Sequence, residues 1–148
     1  MTATTPRIDT IETKVNNTQA VAKFSLTGNQ SVSNDAFTLV IFNQVDFDDD
    51  SIGYDTTTGI FTAPEDGVWE FRVSFNAAGA GFTDAQAEFV NDSNTRLSSG
   101  LIAGLPAVHA NIYSLSSGDE VKARANIDAS SPSVISNTNT FLTIRRIR

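Results

Sequence analysis

The chain contains no cysteine and only one histidine, one tryptophan and ten basic residues, against seventeen acidic ones. Without cysteine there is no disulfide framework, no thiolate nucleophile and no Cys-ligated zinc site. A formal net charge of −7 argues against a general nucleic-acid binder, because neutralising phosphates needs a basic face. The same charge keeps particles apart by self-repulsion. No apolar run approaches the roughly 18 residues that a membrane span needs, so no membrane insertion is expected. The opening Met1-Thr2-Ala3-Thr4-Thr5 has neither the basic start nor the apolar core of a signal peptide. This predicts synthesis in a cytoplasm, with any action outside it reached by lysis or as part of a particle.

What is present is enough for one domain. The 148 residues are 40% hydrophobic and only 18% charged, so a core can form without staples and disorder is excluded. The remaining polarity comes from Ser, Thr, Asn and Gln. Thr and the β-branched apolar residues favour strands, and Asn, Asp, Ser and Gly favour turns. Composition alone points to an all-β chain.

Residues 1–19 stand apart. Thr5-Pro6 is a plausible helix start, and Ile8, Ile11 and Val15 follow an a/d/a spacing. These three are the candidate partner-binding residues, either in a short coiled-coil neck or in an extended arm lying on a neighbour or on the domain's own surface. Two heptads are too few to hold a helix bundle alone, which favours the arm. From Ala20 onward the period is two. Ala20, Ala22, Phe24 and Leu26 alternate with polar or smaller residues up to the turn Thr27-Gly28-Asn29, and Phe37, Leu39 and Ile41 form another set. The clearest strand is Trp69 to Phe75, with four large apolar residues on one face and Glu70, Arg72 and Ser74 on the other. Val121 to Ile127 follows the turn Ser116-Ser117-Gly118-Asp119, and shorter strands are expected at 85–90, 107–115 and 140–147. Many short strands with frequent turns predict two packed sheets, with residues 20–148 as the head and 1–19 as the arm.

Residues 54–75 read Tyr-Asp-Thr-Thr-Thr-Gly-Ile-Phe-Thr-Ala-Pro-Glu-Asp-Gly-Val-Trp-Glu-Phe-Arg-Val-Ser-Phe. Turn chemistry accounts for 55–59 and 64–67, with short strands at 60–62 and from Trp69. The order also resembles the signature of C1q/TNF-like heads: an aromatic, D-x-x-T-G-x-F-T-x-P, then G-x-aromatic-x-F. Tyr54, Gly59, Phe61, Pro64, Gly67, Trp69 and Phe71 occupy its core and turn positions, with Asp55, Thr58 and Thr62 between them. Ser117 to Val121 is similar to the family's G-D-x-V turn, and Asn139 to Leu142 to its closing strand. Phe42 fits the strand before the Asp-rich turn. The resemblance implies a jelly roll of about ten antiparallel strands that assembles as a homotrimer.

Candidate chemistry is sparse. Asp46, Asp48, Asp49 and Asp50 are four carboxylates within five residues and could hold calcium, a hard cation that takes oxygen ligands. The resemblance adds that some C1q-like heads bind calcium near their apex. The D-x-D-x-D-G loop spacing is missing, and an acidic turn between strands explains the cluster equally well. His109 has no local acid or nucleophile of the kind a catalytic triad needs, and reads as a strand or surface histidine. Two carboxylates could run glycoside hydrolysis, but any chain this acidic permits that. No catalytic residue, and no cofactor other than a possible calcium, is expected. The sequons at Asn16, Asn29 and Asn91 matter only if the chain is secreted. Arg145, Arg146 and Arg148 form a basic end that is solvated or docks on an acidic partner. Trp69 belongs to a core face.

The expectation is therefore a non-enzymatic, trimeric binding protein. A head with an arm and neither collagen-like repeat nor fibre shaft resembles a bacteriophage virion protein, most simply a capsid decoration (cement) protein clamping the major capsid protein through residues 1–19. The alternatives are a phage fibre head attaching to a host receptor or surface glycan through loops such as 79–82 and 100–105, and a secreted C1q-like lectin.

Overall fold

The computed structural model describes residues 20–49, 51–102 and 105–148. Ile8, Ile11, Val15 and Asp50 therefore lie outside the described residues. The strands, in chain order, are β1 (Val21–Ser25), β2 (Gln30–Ser31), β3 (Thr38–Leu39), β4 (Gln44–Asp48), β5 (Tyr54–Asp55), β6 (Ile60–Thr62), β7 (Gly67–Val90), β8 (Arg96–Ile102), β9 (Ala107–Leu115), β10 (Glu120–Ile135) and β11 (Phe141–Arg146). The described residues contain no helix.

All named strand pairs are antiparallel and form two layers. The first has the order β4-β1-β11-β7-β9. The second has β8-β7-β10, with β6, β3 and β2 strung along the far edge of β10 and β5 beyond β6. One strand belongs to both. The two expected strands 69–75 and 85–90 are halves of the continuous β7, whose residues 67–75 lie in the first layer and 76–90 in the second. Register shifts between Asp128 and Ser133 mark where β10 loses regular pairing with β7. Gly81 and Ser131 are left-handed there, with φ of 67° and 48°, as expected where a paired ribbon bends.

The core follows the alternation. Trp69, Phe71, Val73 and Phe75 are buried on one side of β7, with Ala85, Ala87 and Phe89 farther along it. Ala22 and Phe24 of β1, Ala123, Ala125 and Ile127 of β10, and Leu142 and Ile144 of β11 meet them. Phe61 lies 5.0 Å from Phe71 and 5.8 Å from Trp69, both edge-on, and Phe89 lies 5.8 Å from Phe71. Edge-on and tilted rings at these separations add to the area they bury.

The remaining signature positions turn corners. Gly59 is left-handed, and a Cβ there would press on Ile41 and the Val40 carbonyl. The Tyr54 hydroxyl accepts from the Phe42 amide at 3.0 Å, and its burial pushes the phenol pKa upward. Pro64 is exposed and Gly67 half-buried at the entry to β7. The first and last described residues sit side by side: the Ala20 carbonyl accepts from the Arg146 amide, and the Arg148 carbonyl from the Val68 amide.

β4 and β8 are strands that composition hid. Asp46 and Asp48 lie within β4, not in a turn, and only Asp49 sits at its end. β4 forms because it pairs with β1, across a bulge between Lys23 and Phe24. That tertiary pairing outweighs the poor strand preference of aspartate.

Candidate functional site

Cross-strand register shows what the outer side of the first layer carries. Residues directly opposite in neighbouring strands share a face, and the partners of Glu70, Arg72 and Ser74 face away from the core. One row runs Ile112, Glu70, Arg145, Val21. The next runs Ala110, Arg72, Thr143, Lys23, Phe47, and the third Val108, Ser74, Phe141, Ser25, Gln44. Ile112 is 51% exposed and Phe47 43%. Val21, Val108 and Phe141 are partly open and Ala110 fully so. At ordinary strand and row spacings these rows cover on the order of 500 Å², with apolar side chains interleaved among charged and polar ones, the mixture of a polar-rimmed contact face. Its charges are partly spent within it. Arg145 pairs with Glu70 at 3.2 Å, Lys23 sits 4.9 Å over the Phe141 ring, and Ser25 donates to Asp46 at 2.8 Å.

Beside this face the sandwich is open. β9 ends the first layer and β8 the second, so among the described residues neither carries a further strand on its outer edge. β9 contains no charged residue apart from the titratable His109. Edge strands that avoid pairing usually carry charge, a bulge or proline, as β4 does with its aspartates. Between the two edges Ser98 Oγ lies 2.7 Å from His109 Nε2 and also bonds the Tyr113 hydroxyl. His109 packs on the Phe89 ring at 5.5 Å. Burial lowers the His109 pKa and raises that of Tyr113. Sequence reasoning found no nucleophile near His109 because Ser98 is eleven positions away on another strand. Among the described residues no carboxylate bonds the ring, so the pair lacks the acid that would complete a triad.

The described aspartates of the cluster, Asp46, Asp48 and Asp49, do not converge. Asp46 accepts from Ser25, and Asp48 accepts from the Ile52 amide at 2.8 Å, closing the turn after β4. Among the described residues no group of three or more His, Asp or Glu side chains is placed to hold a metal ion. A groove of about 510 Å³ between Thr27, Asn29, Gln30, Asn43 and Thr57 has the polar lining a sugar would use. Its amides are already committed: Asn43 pairs with Thr27, and Gln30 bridges the Leu39 carbonyl and the Ile41 amide.

One buried group escaped sequence analysis. Glu88, with no exposed surface, accepts from Arg96 Nε at 2.6 Å and Arg124 Nε at 2.7 Å, and Phe37 lies over both guanidinium groups. The group is fully paired, as a buried carboxylate must be, and it ties together β7, β8, β10 and the segment before β3.

This architecture is that of the C1q/TNF-like jelly-roll heads. The chain matches murine APRIL at 14% identity and a TM-score of 0.67, over 86% of this chain and 98% of that one. It matches the Eiger TNF of S. frugiperda at 15% identity and a TM-score of 0.61, covering 88% and 94%. It also matches the globular domain of zebrafish complement 1qA at 15% identity and a TM-score of 0.57, covering 86% and 94%. No protein-family model and no curated protein matches the sequence. At these identities the likeness is one of fold.

Proposed function

We propose that the chain is a non-enzymatic binding head that works as a homotrimer. The observation that carries this is the outer face of β4-β1-β11-β7-β9, with Ile112 and Phe47 open to solvent beside an uncharged β9 edge. The face and the edge are different surfaces. Packing the edge of one copy on the face of the next makes a heterologous contact, which closes into a ring when the rotation permits. Three copies are the closure that the C1q/TNF resemblance supports. Light scattering at neutral pH then gives about three times the 15.8 kDa chain mass. Ile112→Asp or Phe47→Asp puts a charge into a desolvated contact, worth about 2 kcal/mol or more at a central position, and returns the protein to single chains. A wild-type monomer at micromolar concentration contradicts the trimer.

Within that class we place the head on a virus particle, as a decorating trimer whose residues 1–19 clamp neighbouring capsid subunits. The support is the resemblance to phage virion heads and the apolar spacing of Ile8, Ile11 and Val15. Deleting residues 1–19 leaves a folded trimer that no longer joins particles. Undiminished incorporation of the truncated protein removes the clamp. Purified head that binds host cells or blocks infection replaces decoration with receptor or glycan attachment; residues 79–82, expected as a loop, lie within β7 where its pairing with β10 bends, and residues 100–102 close β8.

A further inference from the structure

We infer that the β8–β9 edge is a proton-operated latch: a neutral His109 closes the edge and fits it for self-association, and a proton on His109 releases it. The inference takes its assembly readout from the trimer reading, while the latch itself stands on the subunit.

Geometry carries the argument. With a neutral ring one hydrogen arrangement satisfies the chain of three side chains. Tyr113 donates its O–H to Ser98, Ser98 donates to His109 Nε2, and the ring proton sits on Nδ1. A protonated ring has two donors and no acceptor. Ser98 must then accept from Nε2, and either its own hydrogen or the Tyr113 O–H is left to find another acceptor. Water supplies one at an open edge. At a covered edge the polar neighbour left to Tyr113 is the Asn111 side chain, and a donor that stays unpaired there is costly.

Among the described residues the surroundings do nothing to stabilise the imidazolium. The ring faces Phe89 and, across the β7 register, Val73. From β8 it faces Ser98 and the bare Gly100, where a Cβ would stand 3.0 Å from Nδ1. From β9 it has Tyr113, a neutral phenol that burial keeps protonated, and Asn111 on the same side of the strand. Residues 101–104 are Leu, Ile, Ala and Gly, none titratable. Burial is the one cause of the His109 shift, and it acts downward. The face that would receive this edge carries Lys23, Arg72 and Arg145 against Glu70 and Asp46, so an added positive charge meets an excess of positive charge.

The sign follows from linkage. A histidine whose pKa is depressed on burial contributes stability that is present above the free value of about 6.5 and is lost as pH falls through that value toward the depressed one. Wild type and His109→Gln are compared by light scattering and thermal unfolding at equal concentration between pH 8 and pH 5. The wild type is expected to lose melting temperature as pH falls below 6.5, and to lose mass as pH falls through the lower pKa of the folded single chain, by at most about tenfold in association per subunit for each pH unit. The Gln variant stays flatter over the same range. Superimposable wild-type and variant profiles in both measurements overturn the latch. Single chains at pH 8 defeat the trimer reading alone, and the latch is then decided by the melting profiles. Should His109→Gln fail to fold, the lone imidazole of the wild type is titrated by NMR: an apparent pKa below 6.5 supports the latch, and one at or above 6.5 refutes it.

Discussion

Replacing Glu88 by glutamine removes one charge and almost no volume, so it isolates the buried carboxylate. The structure sets the scale. Glu88 has no exposed side-chain surface, Arg124 is 23% exposed and Arg96 is 54% exposed. Breaking a buried ion pair by deleting one partner costs about 3–5 kcal/mol, because the other charge is left desolvated and unpaired. Arg96 swings into water, and an exposed arm of this kind is worth about 1 kcal/mol or less. Arg124 is the guanidinium that stays stranded, under the ring of Phe37. The expected loss is therefore about 2–3 kcal/mol, below the buried-pair range because Arg96 and part of Arg124 reach water. In urea, with a slope of about 2 kcal/mol per molar, the unfolding midpoint falls by about 1–1.5 M with the slope unchanged. Protein concentration must be equal in all samples, since any self-association adds its own stabilisation. Arg96→Met alone moves the midpoint by less than half as much. Glu88→Gln combined with Arg124→Met costs less than the sum of the two, because the stranded charge has gone. A Glu88→Gln midpoint within 0.2 M of wild type, on this roughly 2 kcal/mol per molar slope, would falsify the assignment of Glu88 as the tie between the strands.

Three further outcomes test the packing and the corners. Trp69→Ala empties the floor of the core beside Phe61 and costs about 3–5 kcal/mol in chemical denaturation; a loss under 1 kcal/mol refutes its place there. Gly53 has φ of 114°, and an added Cβ would stand 2.6 Å from the Thr62 carbonyl. Gly53→Ala thus costs about 1–3 kcal/mol from strain, whereas Gly28→Ala, with open space around it, is near neutral. The Tyr54 phenol is raised by burial, so its neutral form is the one the fold stabilises. That contribution is present below about pH 10 and is lost as pH rises past it, and Tyr54→Phe removes this share of the alkaline dependence, leaving that of Tyr113, along with the acceptor for the Phe42 amide.

The sequence carried the fold where side chains alternate without interruption. Trp69 to Phe75 shows four apolar residues at period two between turn residues, and its register needs no knowledge of a partner. Residues 120–127 were readable for the same reason. β4 and β8 were not, because Gln44-Val45-Asp46-Phe47-Asp48 and Arg96 to Ile102 mix strand formers with aspartate, serine and glycine, and only pairing with β1 and β7 decides them. The surfaces were less readable still. Ile112 lies on the same face as Phe47 through a chain of cross-strand neighbours running over five strands, and nothing local announces it. The Ser98–His109 contact and the Glu88 triad likewise depend on register between strands 8 to 36 residues apart. The C1q/TNF resemblance, by contrast, rested on residues that build corners and core, which is why it reached the fold and stopped short of the interaction surfaces.

The head's two ends have a mechanical consequence. Val21 pairs with Arg145 at the start of an antiparallel ladder between β1 and β11, and residues 20 and 148 leave from that same end. A force pulling those two ends apart loads the ladder as a zipper. The bonds of Arg148 with Val68 and of Arg146 with Ala20 bear it first, then those at Val21 and Arg145, and each yields before the next is strained. The same number of bonds loaded along the strands would have to break together. A head tethered through both ends would peel open at low force, whereas one tethered through residue 20 alone and gripped by its outer face would be pulled across several strands at once and hold. Single-molecule stretching between the ends, set against stretching from residue 20 to a handle on the β9 edge, separates the two geometries.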